Sequence, residues 1–117
     1  MKKLLGILVL GLLLSDNAYA ENLKFTKIIN LDNPWGSSFI NNNEMIVTEK
    51  SGKIKIINIK NGNANEVDHD LNFLEYGQGG LLDIIYKDDY LWISYTEKRG
   101  NSETSTSIAR GKFNRVK

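Results

Sequence analysis

The sequence has 117 residues, with 15 basic and 14 acidic side chains and a formal net charge of +1, so its charge gives no argument for nucleic acid or an anionic membrane as a partner. It has no cysteine, which excludes disulfides, thiolate metal sites and thiol nucleophiles. Its length suits one small domain.

The first 20 residues have the three regions of a secretory signal peptide. Lys2 and Lys3 form a positive n-region, an apolar stretch covers 4–14, and Ala18-Tyr19-Ala20 is a small-x-small cleavage site. The apolar stretch is shorter than the roughly 18 to 20 residues of a bilayer-spanning helix. The sequence therefore predicts cleavage after Ala20 and a periplasmic or secreted product, 21–117, without a membrane anchor. Loss of two lysines and one aspartate makes this product formally neutral.

Beyond Ala20, short apolar runs alternate with turn signals, and no stretch keeps a helical period. Residues that tolerate turns or a positive φ separate the runs, as at 41–43 and 61–63. The pattern predicts an all-β chain of successive hairpins. The predicted strands, in chain order, are 25–31, 35–40, 44–49, 53–59, 81–86, 90–96 and 104–113.

The hairpins repeat with a period of 46 residues. This shift aligns Phe39 with Ile85, the turn 41–43 with 87–89, and the run 45–48 with 91–94. A glycine turn and one more strand follow in both copies. A period in the forties with about four strands per unit is typical of β-propeller blades. A small sandwich or an open meander also fits two copies.

The single histidine, His69, lies in a polar connection and is predicted to be solvent-exposed and without a catalytic role. The surrounding Asp68-x-Asp70-x-Asn72 has oxygen ligands like those of a calcium loop. The sixth and twelfth places of an EF-hand, however, fall on Phe73 and Gly79. We interpret the cluster as a solvated turn and predict no metal site in this chain.

Several other residues have structural interpretations. Thr48 and Glu49 end a predicted strand, where such pairs usually satisfy local backbone groups, although they also fit a position facing a channel. Asp88-Asp89 is predicted to form a hairpin tip. Trp35 and Trp92 fall on strands and are predicted to pack between blades.

Gln78 stands apart because glycines surround it, in Gly77-Gln78-Gly79-Gly80, directly before an apolar run. Its amide can hold a polar ligand atom without adding charge, and glycines allow a ligand to approach the backbone closely. Glycines that supply a positive φ in a plain loop explain the same pattern, and the residues alone favour that interpretation.

Five motifs follow one another along the chain: PWG at 34–36 with Phe39, IVTEKSGKI at 46–54, GQGGLLDI at 77–84, LWISYTE at 91–97 and TSIARGKF at 106–113. In this order they resemble the N-terminal part of the glucose/sorbosone dehydrogenase family, the soluble quinoprotein aldose sugar dehydrogenases. GQGGLLD is the most specific element. The chain departs from the family pattern at Lys50, where arginine is usual, and after GGLLD, where a His-Pro-Asp segment is missing.

The resemblance implies a six-bladed β-propeller of which only about two blades are present, since six blades of about 45 residues need on the order of 270 residues. It implies pyrroloquinoline quinone (PQQ) and Ca²⁺ as cofactors. It also implies an aldose sugar, oxidised at its anomeric hydroxyl to a lactone, and an external electron acceptor.

In the family a general-base histidine beside an aspartate lies further along than Lys117, so we expect no catalytic residue in this chain. Gln78 matches a glutamine that lines the family's pocket for cofactor and sugar. We therefore expect the N-terminal fragment of a periplasmic quinoprotein dehydrogenase, inactive alone. The alternatives are a non-enzymatic propeller module for ligand binding or interaction, and a self-sufficient small β domain.

Overall fold

The structure is a computed structural model that describes residues 21–115, so the predicted signal peptide lies outside the described residues. The described part has seven β-strands and no helix, and hence no apolar helix that is long enough to cross a membrane. The strands are β1 (Pro34–Phe39), β2 (Glu44–Glu49), β3 (Ile54–Asn58), β4 (Ala64–Val67), β5 (Leu81–Lys87), β6 (Tyr90–Arg99) and β7 (Glu103–Lys112).

The strands form two antiparallel sheets in which neighbours in sequence are neighbours in space. Sheet one has the order β1-β2-β3-β4 and sheet two the order β5-β6-β7. The predicted all-β chain of hairpins is confirmed. Most predicted strand ends agree with the structure within a residue. β6 is longer than predicted because its pairing with β7 continues to Arg99, opposite Glu103.

The core lies between the two sheets. Ile46 pairs with Ile56, and successive side chains of a strand point to opposite faces, so alternate residues of β2 and β3 face sheet two. Burying an aliphatic side chain of this kind is worth roughly 1.5–3 kcal/mol. The buried residues of this layer are Ile46, Ile54, Ile56, Leu81, Ile84 and Ile93.

Both sheets begin with the same irregularity. The first strand of each shifts its register, near Gly36 in β1 and near Asp83 in β5. A hydroxyl on the second strand accepts a hydrogen bond from the N–H at this point: Thr48 Oγ1 from Gly36 and Ser94 Oγ from Asp83, both at 3.0 Å. Thr48 and Ser94 are 46 residues apart, so the repeat in the sequence is confirmed as a repeat in the structure.

Polar bonds also join β1 and β2 of sheet one to β5, the first strand of sheet two. The Thr48 hydroxyl donates to the carbonyl oxygen of Leu82, and the N–H of Tyr86 donates to Ser38 Oγ at 3.0 Å. These bonds hold β1 and β5 side by side, so that the two strands begin at the same end of the molecule.

The predicted strand at 25–31 is wrong. Residues 21–33 form no strand, and Phe25 is largely exposed. Ile28, Ile29 and Leu31 lie over the face of sheet one that carries Val47 and Ile57. A segment that lies on the face of a sheet meets its side chains, whereas the backbone N–H and C=O groups that pair strands lie at the sheet edge. The segment can therefore make apolar contacts without forming a strand.

β4 was missed by the sequence analysis. Its residues are polar and exposed except for Val67, which is half-buried, so they give no apolar alternation. The strand exists because its backbone pairs with β3 from Ile54 opposite Val67 to Ile57 opposite Ala64. An edge strand of this kind is defined by its neighbour rather than by its own side chains.

Candidate functional site

Gln78 lies in a tight turn at the start of β5. The N–H of Gly79 donates to the carbonyl oxygen of Tyr76 at 2.7 Å, which closes a four-residue turn. Gly77 has a φ of 57°, a left-handed value that a side chain would strain. The turn leaves the Gln78 side chain exposed. Its amide has no hydrogen-bond partner within the described range 21–115.

Gly80 fixes this turn against sheet one. A Cβ at this position would lie 2.2 Å from the carbonyl oxygen of Lys50, so only glycine allows the approach. On its other side, Gly80 donates from its N–H to Thr96 Oγ1 at 3.2 Å, and its carbonyl oxygen accepts from the N–H of Thr96 at 2.9 Å. The glycines around Gln78 therefore serve the turn and its packing, while the Gln78 side chain stays exposed.

Two open clefts meet at Gln78. The first, of about 340 Å³, is here named the Lys50 cleft, and its lining residues are Asn33, Pro34, Trp35, Lys50, Gly77 and Gln78. The second, of about 400 Å³, is named the hydroxyl cleft, and its lining residues are Trp35, Tyr76, Gln78, Gly79, Leu82, Thr96, Thr104, Ser105 and Thr106. Only Trp35 and Gln78 border both. The Lys50 cleft therefore offers a cation, the hydroxyl cleft offers hydroxyls and the ring of Tyr76, and the ring of Trp35 borders both.

Backbone contacts position the wall of the Lys50 cleft. The N–H of Lys50 donates to the carbonyl oxygen of Asn33 at 3.0 Å, and Asn33 has a φ of 46°. One residue earlier, the N–H of Asp32 donates to Glu49 Oε2 at 2.7 Å. The segment before β1 is thus tied to the end of β2, and this tie places Trp35 and Lys50 on one rim.

Glu49 is fully buried, and Lys55 is its only cationic partner in the described part of the chain. Lys55 Nζ donates to Oε2 at 3.2 Å. It also lies 3.1 Å from Oε1, but at an angle that makes no hydrogen bond, so Oε1 has an ionic neighbour and no hydrogen-bond donor. With Thr48 bonded to Gly36 and Leu82, the structural interpretation of Thr48 and Glu49 is confirmed.

His69 lies away from both clefts and is exposed, as predicted, but it is bonded rather than idle. Its Nδ1 accepts from the N–H of Leu71 at 3.2 Å, which leaves Nε2 to donate to the carbonyl oxygen of Gly52 at 2.6 Å. Its ring also lies 6.0 Å from that of Phe73. These contacts fix the connection after β4 to the β2–β3 turn.

The remaining predicted residues border neither of the two clefts. Asp88 and Asp89 have φ values of 53° and 65°, which confirms the hairpin tip between β5 and β6. Asp68, Asp70 and Asn72 are exposed in the connection after β4. Within residues 21–115 no three acidic, histidine or cysteine side chains are grouped closely enough to hold a metal ion.

The perturbed titratable groups lie at the other end of the strands. Hydrogen bonds from Arg115 and Asn41 lower the pKa of Glu44, at the start of β2, to about 2. A hydrogen bond to Asp89 raises the pKa of Tyr86, near the end of β5. A strand rises about 3.3 Å per residue, so Glu44 and Tyr86 lie far from Gln78.

The sequence analysis singled out Gln78 and did not single out Tyr76 or the hydroxyls that share its cleft. The signals were present: Tyr76 directly precedes the glycine motif, and Thr104-Ser105-Thr106 is a run of hydroxyls. Trp35 and Trp92 lie on strands as predicted, but their side chains are 53% and 41% exposed. Packing within the described chain therefore does not account for either tryptophan.

The model of the glucose / sorbosone dehydrogenase family matches residues 31–117, which include both sheets and both clefts. The chain belongs to this family. As a member of the glucose / sorbosone dehydrogenase family it is a relative of oxidoreductases, and its two sheets are adjacent blades of the β-propeller fold that its structural neighbours share.

Aldose sugar dehydrogenase YliI of Escherichia coli strain K12 is 27% identical over 89 residues, which make up 71% of this chain and 24% of that protein. The solved apo-form of the soluble aldose sugar dehydrogenase from E. coli is 26% identical, with a TM-score of 0.64 over 70% of this chain and 25% of that chain. The PQQ-bound form of the aldose sugar dehydrogenase from Streptomyces coelicolor has a TM-score of 0.68 at 20% identity, over 80% and 28% of the two chains. This family member thus spans about a quarter of the length of these relatives.

Proposed function

We propose that the chain forms the first two blades of a periplasmic PQQ-dependent dehydrogenase that oxidises the anomeric hydroxyl of an aldose to a lactone. In this proposal residues 1–20 are a signal peptide cleaved after Ala20, 21–117 are the N-terminal blades, and an external acceptor takes the electrons. Family membership and the aldose sugar dehydrogenases among the relatives support the reaction class.

Gln78 is the residue of this chain that carries the proposal. Its amide is exposed, has no partner in the described part, and stands where the Lys50 cleft and the hydroxyl cleft meet. An amide can donate to one ligand and accept from another without adding charge. This position supports a role in holding the cofactor on one side and the sugar on the other.

The residues of the Lys50 cleft fit a planar anionic quinone. The ammonium of Lys50 suits its carboxylates, the Gln78 amide can donate to a ring oxygen, and the exposed ring of Trp35 offers a flat surface. When bound, PQQ supplies the acceptor for two electrons. The described residues do not fit calcium, because no three acidic side chains are grouped among them.

Within this proposal the two blades bind and orient, while removal of the hydroxyl proton belongs to a residue of a later blade. The only histidine of the chain, His69, is bonded to Gly52 and borders neither cleft. A general base has to lie within hydrogen-bond reach of the proton that it takes. We therefore assign no catalytic role to His69.

The test uses the complete gene product, purified without cofactor and assayed by reduction of a redox dye with glucose. Activity should appear only after PQQ is added. Gln78→Ala should lower kcat/KM by about 2- to 10-fold, since one hydrogen bond to substrate or cofactor is worth about 0.5–1.5 kcal/mol. Asn65→Ala removes an exposed amide from β4, far from the clefts, and should leave the rate unchanged.

Dye reduction without added quinone would overturn the proposal. Sugar binding with no oxidation at saturating quinone would instead favour a ligand-binding module without enzymatic activity. Sequencing the N-terminus of the exported protein tests the remaining part, with Glu21 as the expected first residue.

A further inference from the structure

Sheet one contains a fully buried carboxylate that the proposed reaction does not use. Glu49 is 0% exposed, and the ammonium of Lys55 lies 3.1 Å from its Oε1. Taking a carboxylate out of water costs free energy that one ammonium partner offsets only in part, so apolar side chains often stabilise such a place equally well. Stability alone therefore does not explain a carboxylate at this position.

The carboxylate of Glu49 fixes the segment that leads into β1. Its Oε2 accepts from the N–H of Asp32 at 2.7 Å. The carbonyl oxygen of the next residue, Asn33, accepts from the N–H of Lys50 at 3.0 Å. Asn33 has a φ of 46°, a left-handed value that is unfavourable for a residue with a side chain. The two bonds therefore hold an unfavourable backbone conformation in place on the wall of the Lys50 cleft.

Sheet two holds its equivalent entry without a carboxylate. The N–H of Thr96, which lies 46 residues after Lys50, donates to the carbonyl oxygen of Gly80 at 2.9 Å, as Lys50 donates in sheet one. The glycine turn at 77–80 then closes on itself through a backbone bond. The described segment before β1 contains no glycine. The side chain of Glu49 thus supplies in sheet one the restraint that a glycine turn supplies in sheet two.

Lys50 carries this restraint to the Gln78 turn. Its carbonyl oxygen accepts from the N–H of Leu81 at 3.4 Å and packs on Gly80 so closely that a Cβ there would clash. The stem of Lys50 follows the same path, because its Cγ would lie 2.9 Å from such a Cβ. Lys50 and Gln78 border the same cleft. A shift of Lys50 would therefore displace both of the polar side chains that the cleft offers to an anion.

Lys55 leaves the charge of Lys50 available. Glu49 and Lys50 are neighbours in sequence, yet the carboxylate pairs with Lys55, and within residues 21–115 Lys50 has no carboxylate at ion-pair distance. A carboxylate that is balanced by an adjacent ammonium exerts only a weak field on its surroundings. Lys50 is the only charged residue among the described residues that line its cleft, so the cleft is positive.

We propose that Glu49 is a positioning residue for the anionic cofactor, because its carboxylate fixes Lys50 and the Gln78 turn through Asp32 while Lys55 neutralises its charge. This inference rests on the proposed function, in which the Lys50 cleft holds PQQ, and deepens it. The acceptor oxygen of Glu49 sets the geometry of the cleft. Its negative charge opposes an anion and has to be balanced.

The test measures binding of PQQ, by calorimetry, to the complete gene product purified without cofactor. Glu49→Ala should weaken binding by about 5- to 50-fold, because the N–H of Asp32 loses its acceptor and the cleft wall is no longer fixed. Glu49→Gln should bind PQQ within about twofold of the unaltered protein, since an amide oxygen is also an acceptor. Lys55 is partly exposed, so in this variant its ammonium can turn toward water.

Lys55→Met tests the charge. It leaves the carboxylate of Glu49 unbalanced, so PQQ binding should weaken by about 3- to 10-fold at low salt, and Glu49→Gln in the same chain should restore it. Ile56→Ala is the matched control for stability. Ile56 is a buried residue of β3 that borders neither cleft, so its variant should lower the urea midpoint and leave PQQ affinity unchanged.

Equal PQQ affinity of Glu49→Ala and the unaltered protein would overturn the inference, and so would an equally large loss in Ile56→Ala. A loss in Glu49→Gln as large as that in Glu49→Ala would show that the acceptor is not the cause. Where Glu49→Ala does not fold, Lys55→Met decides, because unchanged affinity there contradicts the charge balance. The proposed function is judged separately, by PQQ-dependent oxidation of glucose in the unaltered protein.

Discussion

The two sheets have the same strand arrangement, but they differ in how one face is covered. Sheet two covers the face of sheet one that carries Ile46, whereas the equivalent face of sheet two, which carries Trp92, is open. Ile46 and Trp92 are equivalent under the 46-residue repeat, and each sits at the third position of its strand. Ile46 is fully buried against sheet two, whereas Trp92 is 41% exposed on the outer face of sheet two. The burial of equivalent positions is therefore decided by the neighbouring sheet.

The outer face of sheet two is apolar in spite of its exposure. Ile85 and Ile108 are exposed there beside Trp92, and the guanidinium of Arg110 lies 5.4 Å from the Trp92 ring centre and 4.7 Å from that of Tyr90. In a β-propeller each blade packs against the next. The face of sheet one that carries Ile46 is packed, and the equivalent face of sheet two, which carries Trp92, is open.

The largest expected effect is at the covered face. Ile46→Ala should lower the free energy of unfolding by about 2–5 kcal/mol, because it leaves a cavity between the two sheets. Ile108→Ala is the matched change on the outer face, where the side chain is 75% exposed, and in the chain 21–117 it should cost much less. Urea unfolding followed by circular dichroism measures both. Equal losses of unfolding free energy for the two variants would contradict the conclusion that only the Ile46 face is covered by a neighbouring sheet.

A second difference is the buried ion pair, which only sheet one has. Under the 46-residue repeat, the position in sheet two that is equivalent to Glu49 of sheet one is Tyr95. Lys55→Met should lower the free energy of unfolding by about 3 kcal/mol, because it leaves the fully buried carboxylate of Glu49 without a cationic partner. Glu49→Met should cost less, about 1–2 kcal/mol, since Lys55 is already partly exposed and the main loss is the acceptor for the N–H of Asp32.

The double variant Glu49→Met, Lys55→Met separates the pair from its surroundings. It should recover much of the stability lost in Lys55→Met, because a buried ion pair is often replaced by apolar side chains at little net cost. Additive costs in a double-mutant cycle would show that the two side chains act independently.

The local sequence pattern and the family resemblance predicted the hairpins, the repeat and the position of Gln78. The alternation of 53–59 and the turn residues at 41–43 and 87–89 specify hairpins through short-range chemistry, and the repeat follows from them. Gln78 was recognised because its motif is specific to the family. These features depend on neighbouring residues in the chain, which a sequence shows directly.

The features that the sequence did not reveal depend on distant residues. Gly80 has to be glycine because Lys50 packs against it from the other sheet, and no local pattern encodes that contact. β4 has no apolar alternation and forms through its pairing with β3. The apolar residues of 25–31 look like a strand, yet Ile28, Ile29 and Leu31 lie over a sheet face and Phe25 is exposed. The hydroxyl cleft combines residues from β1 to β7, so only the fold brings them together.

The repeated hydroxyl at the strand irregularity gives a smaller, sharper test. Thr48→Val should lower the free energy of unfolding by about 1–3 kcal/mol, because the N–H of Gly36 and the carbonyl oxygen of Leu82 both lose their buried partner. Ser94→Ala removes the equivalent bond to Asp83, but this site is exposed and water replaces the hydroxyl. Thr48→Ser should behave like the unaltered chain. Equal losses of unfolding free energy for Thr48→Val and Ser94→Ala would contradict the expectation that burial of the hydroxyl decides the size of the loss.

The smallest expected effect concerns the ion pair that ties the end of sheet two back to the tip of sheet one. Arg115 donates to both carboxylate oxygens of Glu44, at 2.6 and 2.8 Å, and the pKa of Glu44 falls to about 2 from its usual 4.5. The folded-state pKa is lower than the unfolded one, so the bridge stabilises fully above pH 4.5 and is lost as the pH falls toward 2.

Both side chains of this bridge are partly exposed, so it should be worth no more than about 1 kcal/mol. Arg115→Gln should therefore lower the urea midpoint slightly at pH 6 and hardly at all near pH 2, with the difference shrinking across that window. Half-molar salt should shrink the difference at pH 6 as well, because exposed charges are screened. A difference that persists at pH 2 would mean that Arg115 stabilises the fold through its guanidinium over the ring of Phe113, 6.0 Å from the ring centre, and not through Glu44.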